Sequence, residues 1–179
     1  MSDADNITLT KTLANRIRTD WRWLYSLIQF ESAWDSQAWN RTSGARGLIQ
    51  FMPATAREMG YADANDLVRK HPTAASQMTG PVANYFKKQG SSFPTEQSLY
   101  MAVFYPRFKD VPPDTVFSDK VQAQNPGIRT VQDYINKVRS RLPQWMRNLA
   151  PDSPMEAGID LFLLIGLGVL AYIFFVRKK

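Results

Sequence analysis

The residues whose types and spacing can do chemistry lie between Phe30 and Gly60, in the stretch FESAWDSQAWNRTSGARGLIQFMPATAREMG. Glu31 follows the apolar run WLYSLIQF directly, at the C-terminal end of an expected helix. A carboxyl in that setting loses hydration and feels the negative end of the helix dipole, and both effects disfavour ionisation and raise its pKa. Such a group stays protonated near neutrality and can deliver a proton. Cleavage of a glycosidic bond demands that delivery, because the leaving oxygen must be protonated as the anomeric carbon becomes cationic. An isolated glutamate ending a helix is more often a solvated surface residue, so the segment after it has to separate the two readings. Ser43 to Gly47, Ser-Gly-Ala-Arg-Gly, is a turn whose glycines permit positive φ and close backbone approach. Leu48, Ile49, Gln50 and Phe51 then present apolar and amide groups to whatever the turn approaches.

Glu31-Ser32, a gap, then Ser-Gly-Ala-x-Gly-Leu-Ile-Gln-Phe-Met-Pro-x-Thr-Ala and Met-Gly closely resembles the catalytic core of the soluble-lytic-transglycosylase (SLT) domain family, a lysozyme-like fold acting on peptidoglycan. The resemblance covers roughly Leu13 to Val138 and is tightest from Phe30 to Gly60. Downstream, QMTGPVANYFKK and LYMAVFYP are similar to phage-type members. The resemblance implies that Glu31 is general acid and then base, with Ser32 supporting it, and that Gln50 helps bind sugar. It also implies that Tyr105, matching the tyrosine of the family's Ala-Tyr-Asn element, contacts the glutamate. Pro106 stands where that element has Asn. Beside these roles stand plainer ones: Tyr105 as a core aromatic at a helix end, and Gln50 as the partner of a local backbone group.

The mechanism turns on a second carboxylate, since lysozyme-type hydrolysis needs two carboxyls flanking the bond. Asp35 is the nearest candidate, but Asp35-Ser36 with Asn40 downstream reads as a helix exit, from which an acid does not readily reach the opposite face of a sugar. The expectation is therefore the single-carboxylate scheme of the family, a lytic transglycosylase that cleaves the MurNAc-GlcNAc β-1,4 bond and leaves a 1,6-anhydro-MurNAc end. Two alternatives stay open: a hydrolytic muramidase using Asp35 or another, unrecognised acid, and a non-catalytic peptidoglycan-binding membrane protein. Trp34, Trp39, Phe51 and Tyr61 offer stacking faces for sugars, with core packing expected for at least two of them.

The composition removes most other chemistries. The chain of 179 residues has no Cys, which excludes disulfides, thiol nucleophiles and thiolate-bound metal. Its single histidine, His71, excludes sites needing two imidazoles and stands beside Pro72 without partners at ligand spacing, so it reads as an exposed or capping residue. No cofactor and no metal are expected. The net charge of +6 lies wholly in the first 150 residues, because the last 29 hold three basic and three acidic residues. The expected partner is thus anionic, and peptidoglycan glycan strands fit. Nucleic acid is not expected, because the basic residues are scattered and no helix-turn-helix, zinc-finger or RNP signature accompanies them.

The elements that must position Glu31 are helical. Leu13, Ile17, Trp21, Leu24 and Ile28 fall on one stripe of a long amphipathic helix starting near Thr10. Pro53 opens a short helix that Gly60 caps, and the pattern from Thr73 to Lys88 is broken at Gly80-Pro81. Thr95 opens the next helix, through Leu99 to Tyr105, and Pro106 stops it. Arg107 to Arg129 shows little periodicity and is either a functional loop or holds short helices. Thr130 with Asp133 starts a last helix whose apolar face carries Val131, Tyr134, Ile135, Val138 and Leu142. The fold class expected is mainly α: a lysozyme-like helical domain with a cleft over residues 1–142, then a linker over 143–157.

From Gly158 to Val176 the nineteen residues GIDLFLLIGLGVLAYIFFV carry one charge, Asp160, and a basic tail, Arg177-Lys178-Lys179, follows. A run of this length matches the hydrocarbon thickness of a bilayer, so a single C-terminal transmembrane helix over 158–176 is expected, with the lipid membrane as a partner. The basic tail over 177–179 favours the cytoplasmic side, which puts the body outside, although Arg141 and Arg147 near the entrance weaken the asymmetry. MSDADNITLTK does not read as a secretory signal. These features suggest a virion protein of the internal membrane of a lipid-containing phage, with other virion membrane proteins as partners, opening the wall locally during entry. The alternative is a bacterial inner-membrane protein facing the periplasm.

Overall fold

The computed structural model describes residues 2–147, and residues 1–146 cluster as a compact unit. The first element, α1 (Asp3–Arg16), starts at a capping box in which Ser2 and Asp5 satisfy each other's backbone N–H groups. The stripe from Leu13 to Ile28 is not one helix. Ile17 closes α1, Arg18 takes a left-handed conformation with φ of 49°, and Asp20 caps a second helix, α2 (Trp21–Ser32), through the N–H of Arg22 at 2.8 Å. Leu13, Ile17, Leu24 and Ile28 are nevertheless all buried in the same core, so the 3.6-residue spacing reported the buried face and missed the corner between the two pieces.

The next elements are short: α3 (Pro53–Glu58), opened by its proline, α4 (Ala64–Lys70), α5 (Ala74–Gln77), a π-helical turn (Met78–Val82) and α6 (Ala83–Gln89). The expected break at Gly80-Pro81 takes the form of that π turn, which absorbs the missing proline N–H. Helix α4 is not among the elements expected from the sequence, although Asp63 is its N-cap and accepts from the N–H of Asp66 at 2.8 Å.

Five consecutive residues of α7 (Glu96–Phe104), Ser98 to Ala102, are buried, so this helix is enclosed on every side. It is the hub that positions the site. Pro106 ends it in a 3-10 turn (Pro106–Phe108), and the aperiodic stretch beyond contains a short helix, α8 (Asp119–Gln124). The capping box at Thr130 and Asp133 opens α9 (Val131–Arg139), whose Val131, Tyr134, Ile135 and Val138 are buried as the spacing predicts. Both α2 and α9 pack on α7 and on each other. A last turn, α10 (Gln144–Arg147), buries Met146 and leaves Trp145 exposed.

Among the described residues the architecture is mainly helical, with only isolated β-bridges, Trp39 to Arg46, Arg46 to Phe51 and Val116 to Thr130. No helix among them is long and apolar enough to cross a membrane. The expected span over 158–176, the basic tail over 177–179 and the linker beyond residue 147 lie outside the described residues.

Candidate active site

Glu31 lies in the last turn of α2, and the chain leaves that helix through two successive left-handed residues, Ala33 (φ 51°) and Trp34 (φ 64°). Non-glycine residues pay for that conformation in steric strain, which packing around them must offset. Here Trp34 is held by Tyr25, ring centroids 5.2 Å apart, and the turn directs the chain away so that Glu31 opens onto a cleft. The cleft has a volume of about 450 Å³, within the range of small-molecule sites. Its lining includes Phe30, Glu31, Ser32, Trp39, Gln50 and Arg141, and Glu31 is the one carboxyl among its lining residues.

Burial raises the Glu31 pKa to about 7, because the carboxyl loses hydration among apolar neighbours. One group opposes that shift. Tyr134, from α9, donates its hydroxyl to Oε1 of Glu31 at 2.6 Å, and a hydrogen bond to the carboxylate favours the charged form. Since Oε1 is the acceptor of that bond, Oε2 is the oxygen free to carry a transferable proton. The tyrosine hydroxyl in turn is pushed well above its ordinary pKa by burial and by the adjacent carboxylate, so it remains a donor at any working pH. Its ring is fixed by a stack on Phe104, centroids 4.2 Å apart and planes 13° apart, and by the edge contact of Phe30 at 5.5 Å.

Tyr105, expected on the glutamate, is elsewhere. Pro106 imposes an extended backbone on it, φ −154° and ψ 83°, and its ring packs on Phe108 at 4.8 Å and Phe117 at 5.8 Å. The contact expected of Tyr105 is made by Tyr134, which the sequence had marked only as a member of an apolar stripe. The signal that could have found it is its hydroxyl: a buried phenol needs a partner, and Leu or Phe would serve a plain core position.

Ser32 lines the cleft and donates to the Ile28 carbonyl at 3.2 Å, so its hydroxyl is tied to the helix backbone. Gln50 lines the cleft as well, from a left-handed position (φ 51°), and its amide donates to the Gly47 carbonyl at 3.0 Å. The local partner and the cleft position therefore coexist in one side chain. Asp35 is exposed on the helix exit, where it accepts the Gln37 N–H at 2.8 Å, and it does not line the cleft.

The loop that carries Gln50 is built around one buried amide. Gln77, fully buried in α5, accepts the Leu48 N–H at 2.9 Å and donates to the carbonyls of Ser36 at 2.7 Å and His71 at 2.9 Å. Gly47 takes a φ of 79°, and a Cβ there would stand 2.7 Å from the Gln77 amide oxygen. The glycine permits both the turn and the close approach of that amide. The sequence offers no pattern that marks Gln77.

Of the four aromatic stacking candidates, Phe51 is buried against Tyr85 and Trp34 is packed on Tyr25. The Tyr61 hydroxyl meets Nε2 of His71 at 2.9 Å, and His71, half-buried, is the C-cap of α4, the capping role expected of it. Trp39 alone of the four lines the cleft, and it is 49% exposed. No group of His, Asp or Glu among the described residues has metal-holding geometry.

A family model, described as the transglycosylase SLT domain, matches residues 8–106, which include Glu31, Ser32, Gln50 and Tyr105 and stop short of Tyr134. No curated protein matches the chain.

Proposed function

The chain belongs to the transglycosylase SLT domain family, enzymes of the lytic transglycosylase class that act on peptidoglycan, and from that premise we propose a single-carboxyl mechanism centred on Glu31. The observation that carries it is one desolvated carboxyl, poised at a pKa of about 7, in a cleft lined by no other acid among the described residues. In the first half, Oε2 of Glu31 gives its proton to the glycosidic oxygen between MurNAc and GlcNAc as the bond from that oxygen to the anomeric carbon breaks. In the second half, the resulting carboxylate takes the proton of the muramic 6-hydroxyl while that oxygen bonds to the anomeric carbon. Glu31 ends protonated, no water is consumed, and the product carries a 1,6-anhydro-MurNAc end. Gln50 and Ser32 line the sugar site, and Tyr134 is a positioning residue that steadies the carboxylate between the halves. The muramidase reading needs a second acid in the cleft, and Asp35 faces elsewhere.

Mass spectrometry of muropeptides released from purified walls tests this mechanism. Anhydro ends from the wild-type protein and no release by Glu31→Gln are expected; reducing ends, or release that survives the substitution, overturn it.

The setting is part of the same proposal. The apolar run over 158–176 and the basic residues after it support a single-pass anchor, and the phage-type similarity supports a place in the internal membrane of a lipid-containing virion, beside other membrane proteins. Because Gln144–Arg147 is helical and Met146 is buried in the body, at most the ten residues over 148–157 of the expected linker can extend, a reach of about 33 Å at ~3.3 Å each, so the enzyme would cut only strands near its membrane. Recovery of the protein from purified particles only with detergent is the expected result. Its absence from particles moves the anchor to a bacterial inner membrane.

A further inference from the structure

The glycan backbone of peptidoglycan is neutral where the muramic lactyl groups are amidated by peptide stems, and the negative charge of the polymer sits on the carboxylates of those stems. The cleft and the Trp39 ring at its edge carry positive charge that no carboxylate among the described residues neutralises. Arg141, just beyond α9, lines the cleft, and Arg41 holds its guanidinium over the ring of Trp39, 4.5 Å from the centroid. Neither side chain pairs with a carboxylate among the described residues. Two nearby arginines show the contrast. Arg139, two residues before Arg141, is clasped by Glu96, and Arg46, 5.1 Å from the Trp39 ring, is anchored on Asn65 at 2.7 Å and on the Gln37 carbonyl at 3.3 Å.

A guanidinium resting on an aromatic face is held in place by the ring while its N–H fork stays open, and that fork matches a carboxylate in two parallel hydrogen bonds. Trp39 serves here as the platform of a cation. Glu31 is the one acid lining the cleft among the described residues, and when protonated it repels no incoming anion.

We propose that Arg141 and the Arg41–Trp39 pair form a carboxylate-binding rim that selects muramic residues bearing charged peptide stems over strands without that charge. The inference rests on the peptidoglycan reading above and adds the part of the polymer that the rim reads.

The test separates binding from cleavage. Full-length Glu31→Gln protein in detergent is titrated with soluble stem-bearing glycan fragments, and with the same fragments after carbodiimide coupling to ammonia has turned their carboxylates into amides. The inactive protein is expected to prefer the charged fragments by about three- to tenfold, within the range of exposed ion pairs, and the preference is expected to vanish when Arg41→Gln and Arg141→Gln are added. Equal affinity for both fragments, or a preference that survives both substitutions, overturns the proposal. Cleavage of the two fragment sets by the protein with Glu31 intact keeps the two readings apart. Charge-dependent binding without cleavage sinks the catalytic reading and leaves the rim. Cleavage with no charge preference sinks the rim and leaves the catalysis.

Discussion

The hydroxyl of Tyr134 lies 2.6 Å from Oε1 of Glu31, although 103 positions of chain separate the two residues. Each sits on a helix packed against α7, and the enclosed α7 fixes the distance between them. The contact opposes the desolvation of Glu31 and so lowers a pKa that burial alone would raise further. Tyr134 thus tunes the acid from outside the lining of the cleft.

Tyr134→Phe is expected to lower turnover about tenfold to a hundredfold, the worth of one hydrogen bond to a charged group, about 1.5–3 kcal/mol. In the proposed mechanism the activity depends on protonated Glu31, so its alkaline limb should fall near pH 7 in the wild type and move to higher pH in the variant. A pH–rate profile checks both. An unmoved limb would show that the hydroxyl does not bear on the carboxyl.

Glu31 also couples folding to pH. Its folded pKa of about 7 lies above the ordinary value of 4.5, so between those limits the folded state holds the proton more tightly than the unfolded chain. The contribution is fully present below about pH 4.5 and is lost as pH rises through about 7, amounting to at most about 3 kcal/mol, with the partial exposure of the residue to the cleft reducing it. Urea midpoints measured from pH 5 to 8 should decline in the wild type more than in Glu31→Gln, and the variant should be the more stable protein at pH 8.

Gln77→Leu keeps the volume and removes three hydrogen bonds at a fully buried position. The stranded groups should destabilise the fold by about 3 kcal/mol or more, a fall in Tm of roughly 6–12 °C for a unit of this size. Binding of glycan fragments should weaken as well, because the loop carrying Gln50 loses its anchor. A melt within 2 °C or so of the wild type would contradict this role.

Ala33 is exposed and left-handed, so glycine there relieves steric strain while losing little packing. The expected result for Ala33→Gly is a Tm equal to or slightly above the wild type, and for Ala33→Val a loss of about 1–2 kcal/mol, since a β-branched residue tolerates positive φ worst. Thermal melts of the pair decide it.

The amino-acid order by itself determined what depends on near neighbours. The burial stripe of α1 and α2, the proline that opens α3, the break at Gly80-Pro81 and the capping box at Thr130 each follow from spacing or backbone chemistry within a few residues. Glu31 was legible for the same reason, since the apolar run before it and the glycine turn after it are contiguous with it. The corner at Arg18 escaped because a left-handed arginine breaks a helix without changing the apolar period around it. Tertiary structure alone decided which tyrosine meets the acid, which amide pins the Gly47 turn and which arginines near the cleft meet no carboxylate among the described residues. Tyr105 and Tyr134 both end up among aromatic rings, and only the packing of α2 and α9 on α7 puts one hydroxyl at the carboxyl and leaves the other in the Phe108–Phe117 cluster. Contacts across a hundred residues are set by how helices pack, and no local pattern encodes that distance.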